Sequence, residues 1–120
     1  MTPTPTPTPT QIHLHQAERR LDIAFDDGAS FSLPAEYLRV ESPSAEVQGH
    51  GPKQKKTVPG CRNVGILAVE PVGHYAIRIL FDDRHDTGIF SWDYLHTLGR
   101  EQSLRWQAYL TALAGLGLSR

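Results

Sequence analysis

Two stretches of this chain repeat one order of parts, and that repeat constrains the fold more than any other feature. Residues 21–39 read LDIAFDDGASFSLPAEYLR, and residues 77–97 read IRILFDDRHDTGIFSWDYLHT. Each opens on an alternating segment that ends in Phe-Asp-Asp, turns, continues through a segment with Phe and Ser, and finishes in a short stretch with Tyr-Leu. Alternation of apolar and polar residues at period two is the signature of a half-buried strand. Asp-Asp-Gly in the first copy is turn chemistry. Proline at position 34 suits the first turn of a helix, where its missing N–H costs nothing. The pattern predicts two strand–turn–strand–short-helix units.

The remaining segments fill in around these units. Ile12 and Leu14 alternate with His13 and His15, which predicts a further strand. Val64, Ile66 and Val69 precede a Pro-Val-Gly-His turn and the strand 76–81, which predicts a hairpin between the units. Asp93–Leu98 reads as a short helix that Gly99 ends. Ser103–Ala114 is the longest helix candidate, with Leu104, Ala108, Leu110, Leu113 and Ala114 on its apolar face and Arg105 and Gln107 toward water. The expected architecture is therefore α+β: a small single domain of antiparallel strands in two such units, with an intervening hairpin and a C-terminal helix. Residues 11–116 form the domain. The alternating Thr-Pro run of residues 1–10 has nothing to bury and reads as a disordered tail, and residues 117–120 read as a flexible C-terminus.

Composition excludes several classes of function. Of the 120 residues, 39% are hydrophobic and 21% charged, enough for a modest core. The net charge of -1 provides no field that would recruit nucleic acid or an anionic membrane. A single cysteine, Cys61, rules out an intramolecular disulfide and a cysteine-rich zinc site, and fits a reducing compartment. No apolar run approaches the roughly 18 residues that span a bilayer, and no signal peptide is legible at the N-terminus. The expected location is cytoplasmic.

Residues 41–63 lack helix or strand periodicity, and a loop of that length in a compact domain is usually functional or mobile. Its SPSAEVQGHG stretch brings Ser42, Ser44, Glu46 and His50 close together in sequence. Glu46 and His50, with His85 and Asp86 of the second Asp-rich turn, form an oxygen–nitrogen set suited to iron, manganese or zinc. The competing account has the same side chains satisfying backbone groups of their turns. Asp82 and Asp83 could serve acid–base chemistry with Asp86, but Asp26-Asp27 repeats the pair in the first copy, so turn geometry explains it better. Ser42, Ser44 and Ser91 sit in no Gly-x-Ser-x-Gly elbow. Lys53, Lys55, Lys56 and Arg62, with Gly49 and Gly51, offer an anion or partner contact but lack Walker-loop spacing and interleaved aromatics. Cys61 lies beside Arg62, a cation that could activate it, although an inert thiol is the commoner case. Trp92, Tyr94 and Trp106 are expected in the core.

Residues 21–51, followed by VEPVGHYAIRILFDDRHDTGIFSWDYL, resemble a family of small stand-alone bacterial domains of unknown function. That family is similar to the N-terminal domain of gamma-butyrobetaine hydroxylase and of trimethyllysine dioxygenase. The resemblance covers roughly residues 12–100. It implies fusion, in some members, to P-loop ATPases of the type that carry iron–sulfur clusters. It also implies, for the dioxygenases, one structural zinc held by three cysteines after a Leu-Arg and by one histidine. Catalytic iron and 2-oxoglutarate belong to a separate domain of those enzymes. Carried onto this chain, Leu-Arg falls on Leu38-Arg39, the three cysteine positions on Ser42, Ser44 and Val47, and the histidine on His85. Every thiolate is replaced, and serine and valine do not make a zinc site. The resemblance thus implies that Ser42–Val47 lies beside His85, without the family's zinc.

The expected function is a non-catalytic binding or adaptor module with a protein partner, connected to iron–sulfur or other metal-dependent proteins, and with no cofactor. The alternative is a metal-binding domain that uses His50 and His85 with Glu46 or Asp86 to hold iron or zinc. A phosphate or nucleic-acid contact through the 49–62 loop ranks below both.

Overall fold

The structure is a computed structural model that describes residues 7–43, 57–83, 85 and 88–120. Strands β1 (Pro9–His15), β2 (Arg20–Phe25) and β3 (Ser30–Pro34) form one antiparallel sheet in that order, and helix α1 (Ala35–Val40) follows directly. Strands β4 (Ile66–Val72), β5 (Ala76–Phe81) and β6 (Ile89–Ser91) form a second antiparallel sheet, followed by α2 (Trp92–Arg100) and α3 (Gln102–Gly115). The α+β architecture of two repeated units is the expected one, with the hairpin before β5 completing the second sheet.

Period-two alternation determines which side chains meet. Leu21, Ile23 and Phe25 of β2 are buried, and so are Ile77, Ile79 and Phe81 of β5, their counterparts in the repeat. Leu21 stands opposite Leu33, Ile23 opposite Phe31, and Ile77 opposite Phe90 across the ladders. These residues join Tyr37, Leu38, Leu95, Leu98 and Leu113 in one core. A one-residue slip of either central strand would turn its whole apolar row outward, so burial of one face locks the register.

The two units grip each other through equivalent residues. Tyr37 Oη donates to the Leu98 carbonyl at 2.7 Å, and Tyr94 Oη donates to the Glu41 carbonyl at 2.5 Å. Tyr37 and Tyr94 occupy the same place in the repeat, and each reaches the far end of the other unit's helix. Arg39 Nε donates to Asp83 Oδ2 at 2.8 Å, while His96 Nε2 lies 2.8 Å from Asp27 Oδ2. Here too Arg39 matches His96 and Asp27 matches Asp83. Arg100 Nε donates to His96 Nδ1, which leaves Nε2 as the ring nitrogen that donates to Asp27. The repeat in sequence has become an approximate two-fold exchange of contacts.

Four expectations shift. Strand β1 starts at Pro9, inside the Thr-Pro run, and Thr8 exchanges hydrogen bonds with Asp26. Proline is tolerated there as the first residue of an edge strand. Gly99 does not end α2, which runs on to Arg100. A Cβ at Gly99 would stand 2.3 Å from Phe31 Cγ, so this glycine lets the helix approach β3. On α3 the buried residues are Tyr109 and Leu113, with Trp106 and Leu110 against the core, whereas Leu104, Ala108 and Ala114 are exposed. Arg105 does not face open water; it bridges Glu41 at 3.0 Å and Glu101 at 2.9 Å. Residues 117–120 fold back: Ser119 O accepts from Gly60 N, and Arg120 pairs with Glu36. Among the described residues no helix is long and apolar enough to cross a membrane.

Candidate functional site

Helix α1 ends at Val40, and the chain passes through Glu41 to Ser42, which is fully buried. Opposite it, the turn between β5 and β6 carries His85, 4% exposed. Ser42 Oγ and His85 Nε2 are 2.8 Å apart. The turn presents the imidazole through several contacts. Its backbone N–H donates to Asp83 Oδ1, its carbonyl accepts from Phe81 N, and its ring tilts against Phe81. Asp83 is held in turn by Arg39 from α1. The contact that joins the two units therefore also sets the histidine. Gly88 completes the pocket around Ser42: a Cβ there would come within 2.4 Å of Ser42 Oγ.

Of the residues singled out from sequence, Ser42 and His85 are brought together, and Arg62 is exposed on a separate turn. Ser44, Glu46, Val47, His50, Lys53, Lys55, Lys56 and Asp86 lie outside the described residues. Among the described residues no group of three or more His, Cys, Asp or Glu side chains is placed to hold a metal ion. Asp83 serves the inter-unit tie, and its counterpart Asp27 accepts from Ala29 N and faces His96. Those two contacts, the backbone one foremost, hold the Asp27 carboxyl below its ordinary range. Cys61 is buried, and burial pushes its thiol above the usual value despite the nearby Arg39 charge. A raised thiol is a poor nucleophile at neutral pH. Ser42 and His85 have the separation of a nucleophile and its base, but a hydroxyl with no exposed surface cannot meet a substrate.

Trp92 donates to the His74 carbonyl, and Tyr94 and Trp106 pack against the core. Burial raises the Tyr94 hydroxyl to about 12, with the Glu41 charge adding to the effect.

Sequence reasoning missed two buried carboxylates. Glu41 is 2% exposed and meets Arg105; Glu36 is 7% exposed and meets Arg120. Part of their signal is present in AEYLRVE, where Glu36 sits on the six-residue α1 between Ala35 and Tyr37, and Glu41 follows Val40 at the C-terminal end of that helix. Glu36 opens onto a cavity of about 540 Å³, lined also by Tyr37, Gly99, Trp106 and Arg120.

Residues 12–96 match the family described as gamma-butyrobetaine hydroxylase-like, N-terminal. Two proteins with solution structures by NMR are similar over nearly the whole chain. One is 47% identical, covering 97% of this chain and 91% of its own, with a TM-score of 0.83. The other is 46% identical, covering 100% and 90%, with a TM-score of 0.84. A crystal structure of a protein of unknown function from Acidithiobacillus ferrooxidans ATCC 23270, of the DUF971 family, is 37% identical. It covers 77% of this chain and 92% of its own, with a TM-score of 0.64. No curated protein matches the chain.

Proposed function

Since the chain belongs to the gamma-butyrobetaine hydroxylase-like N-terminal family, we propose that it is a non-catalytic binding module that works without a resident metal, with a protein partner. The observation that carries this reading is the 2.8 Å contact of Ser42 Oγ with His85 Nε2 in the interior. Where the resemblance places a thiolate opposite the histidine, this chain has a hydroxyl within hydrogen-bond distance of the ring. A neutral hydroxyl satisfies an imidazole nitrogen in a buried site but is a poor ligand for zinc. The buried or half-buried polar groups around it point the same way. Asp83 is tied to Arg39, Glu41 to Arg105, and Tyr94 to the Glu41 carbonyl, so each serves the join between the units. The connection to iron–sulfur or other metal-dependent proteins rests on the fusions that the resemblance implies.

Elemental analysis of protein purified without an affinity tag tests the reading. The expected result is no stoichiometric iron, manganese or zinc, with His85→Ala and His50→Ala both folded. Near-equimolar metal that is lost in both variants would replace it with the metal-binding reading through His50, His85 and Glu46 or Asp86.

A further inference from the structure

The cavity beside Glu36 lies apart from the Ser42–His85 contact and carries chemistry of its own. Glu36 projects from α1 with its carboxylate almost wholly out of water. A buried carboxylate is costly unless a cation meets it with good geometry. In this chain the cation is Arg120. Its Nε reaches Glu36 Oε2 at 3.0 Å and its Nη2 reaches Oε1 at 2.7 Å, a two-point fork on both carboxylate oxygens. The same guanidinium stands 5.3 Å from the centre of the Trp106 ring, so one planar cation is held by a carboxylate at its edge and an aromatic face above it. Trp106 is itself set by Tyr109 and Tyr37.

A short return of the chain after α3 brings Arg120 there. Gly117, at φ 68°, turns the chain back after α3, and Leu118 N closes the turn on the Leu113 carbonyl. Ser119 O accepts one hydrogen bond from Gly60 N. Arg120 remains 37% exposed and lines, with Glu36 and Trp106, the open cleft of about 540 Å³. The recognition groups belong to α1 and α3, whereas the occupant rides on a short tether.

We propose that Glu36 and Trp106 form a binding site for the guanidinium of an arginine in a partner protein's peptide segment, and that Arg120 occupies this site within the chain until the partner displaces it. The site selects arginine over lysine, because a guanidinium presents two parallel N–H donors to the two oxygens and a flat face to the ring, whereas an ammonium is a compact point charge. The tether gives Arg120 a high effective concentration, so the intact chain must bind such a segment more weakly than a chain without that side chain. The site is independent of whether the Ser42–His85 contact holds a metal.

Fluorescence anisotropy with a labelled Leu-Gly-Leu-Ser-Arg peptide, the chain's own residues 116–120, is the test. Arg120→Ala should bind it about tenfold or more tightly than the unaltered protein, a difference of roughly 1.4 kcal/mol. The same peptide ending in lysine should bind Arg120→Ala at least about tenfold more weakly than the arginine form. Both R120A/E36Q and R120A/W106L should lose the binding, and circular dichroism establishes that each is folded; either folded variant suffices. Equal binding by the unaltered protein and Arg120→Ala, equal binding of the two peptides, or retained binding in a folded double variant would each overturn the proposal. So would an unaltered protein that is dimeric and becomes monomeric on Arg120→Ala, which would place Arg120 in the cavity of a second copy.

Discussion

Replacing Tyr94 with phenylalanine probes the exchange of contacts that holds the two units together. The tyrosine hydroxyl is the only group removed, and the ring keeps its place beside Phe90. What is lost is the 2.5 Å hydrogen bond to the Glu41 carbonyl at the end of α1. Removing one partner of an interior hydrogen bond costs about 1–3 kcal/mol. In a domain of this size each 1 kcal/mol lowers the melting temperature by about 4–5 °C, so Y94F should melt roughly 4–15 °C below the unaltered protein. Tyr37→Phe removes the matching bond to Leu98 and should fall in the same range. The pH dependence supplies an independent readout. Tyr94 and Tyr109 are both pushed up to about 12 by burial, and Tyr37 is raised as well, against an ordinary value of 10.0. Between those values the unfolded chain releases phenolic protons that the folded chain keeps. Stability is therefore full below about pH 10 and falls as pH rises toward 12 and beyond. Chemical denaturation across pH 8 to 11.5 should show that fall, with a shallower slope in each phenylalanine variant because one retained proton is gone. Variants that melt within about 1 °C of the unaltered protein, a difference of a few tenths of a kcal/mol, and keep the full alkaline slope would refute the role given to these tyrosines.

Two further variants test the packing and the interior chemistry. Gly99→Ala places a better helix former inside α2, which in an exposed helix would stabilise by about 1 kcal/mol. Against Phe31 it should instead destabilise by about 1–3 kcal/mol, because the ring must move; a raised melting temperature would contradict the close approach. Cys61, buried and with its thiol raised, should react with iodoacetamide at least about tenfold more slowly in the native protein than in urea. Equal rates would contradict its burial.

The repeat and the alternation were legible because both depend on local sequence. Phe-Asp-Asp, the turn and Tyr-Leu recur at matching places, and a buried face at period two admits one register. The crossed pairing of Tyr37 with Leu98 and of Tyr94 with Glu41 was not legible, because nothing local distinguishes a contact within a unit from one between units. Gly99 was misread for a related reason: a glycine near a helix end serves equally as a stop or as a gap for a neighbouring ring, and Phe31 lies far away in sequence. The face of α3 went wrong where apolar character alone was counted. Leu104 points outward, while Arg105, with a carboxylate partner in Glu41 just after α1, turns inward. At the site, the meeting of Ser42 and His85 was reached through the family resemblance, whereas the pairing of Glu36 with Arg120 needed the return of the chain after Gly117.

In the function proposed above, the His85 ring is engaged by the Ser42 hydroxyl rather than by a resident metal. Nitrogen-resolved NMR of the histidine rings in protein purified without a tag tests it most directly. The His85 ring signals should stay where they are when a strong chelator is added and when one equivalent of zinc replaces it, and they should move in Ser42→Ala. A shift of those signals on chelation, reversed by zinc or iron, would contradict the account.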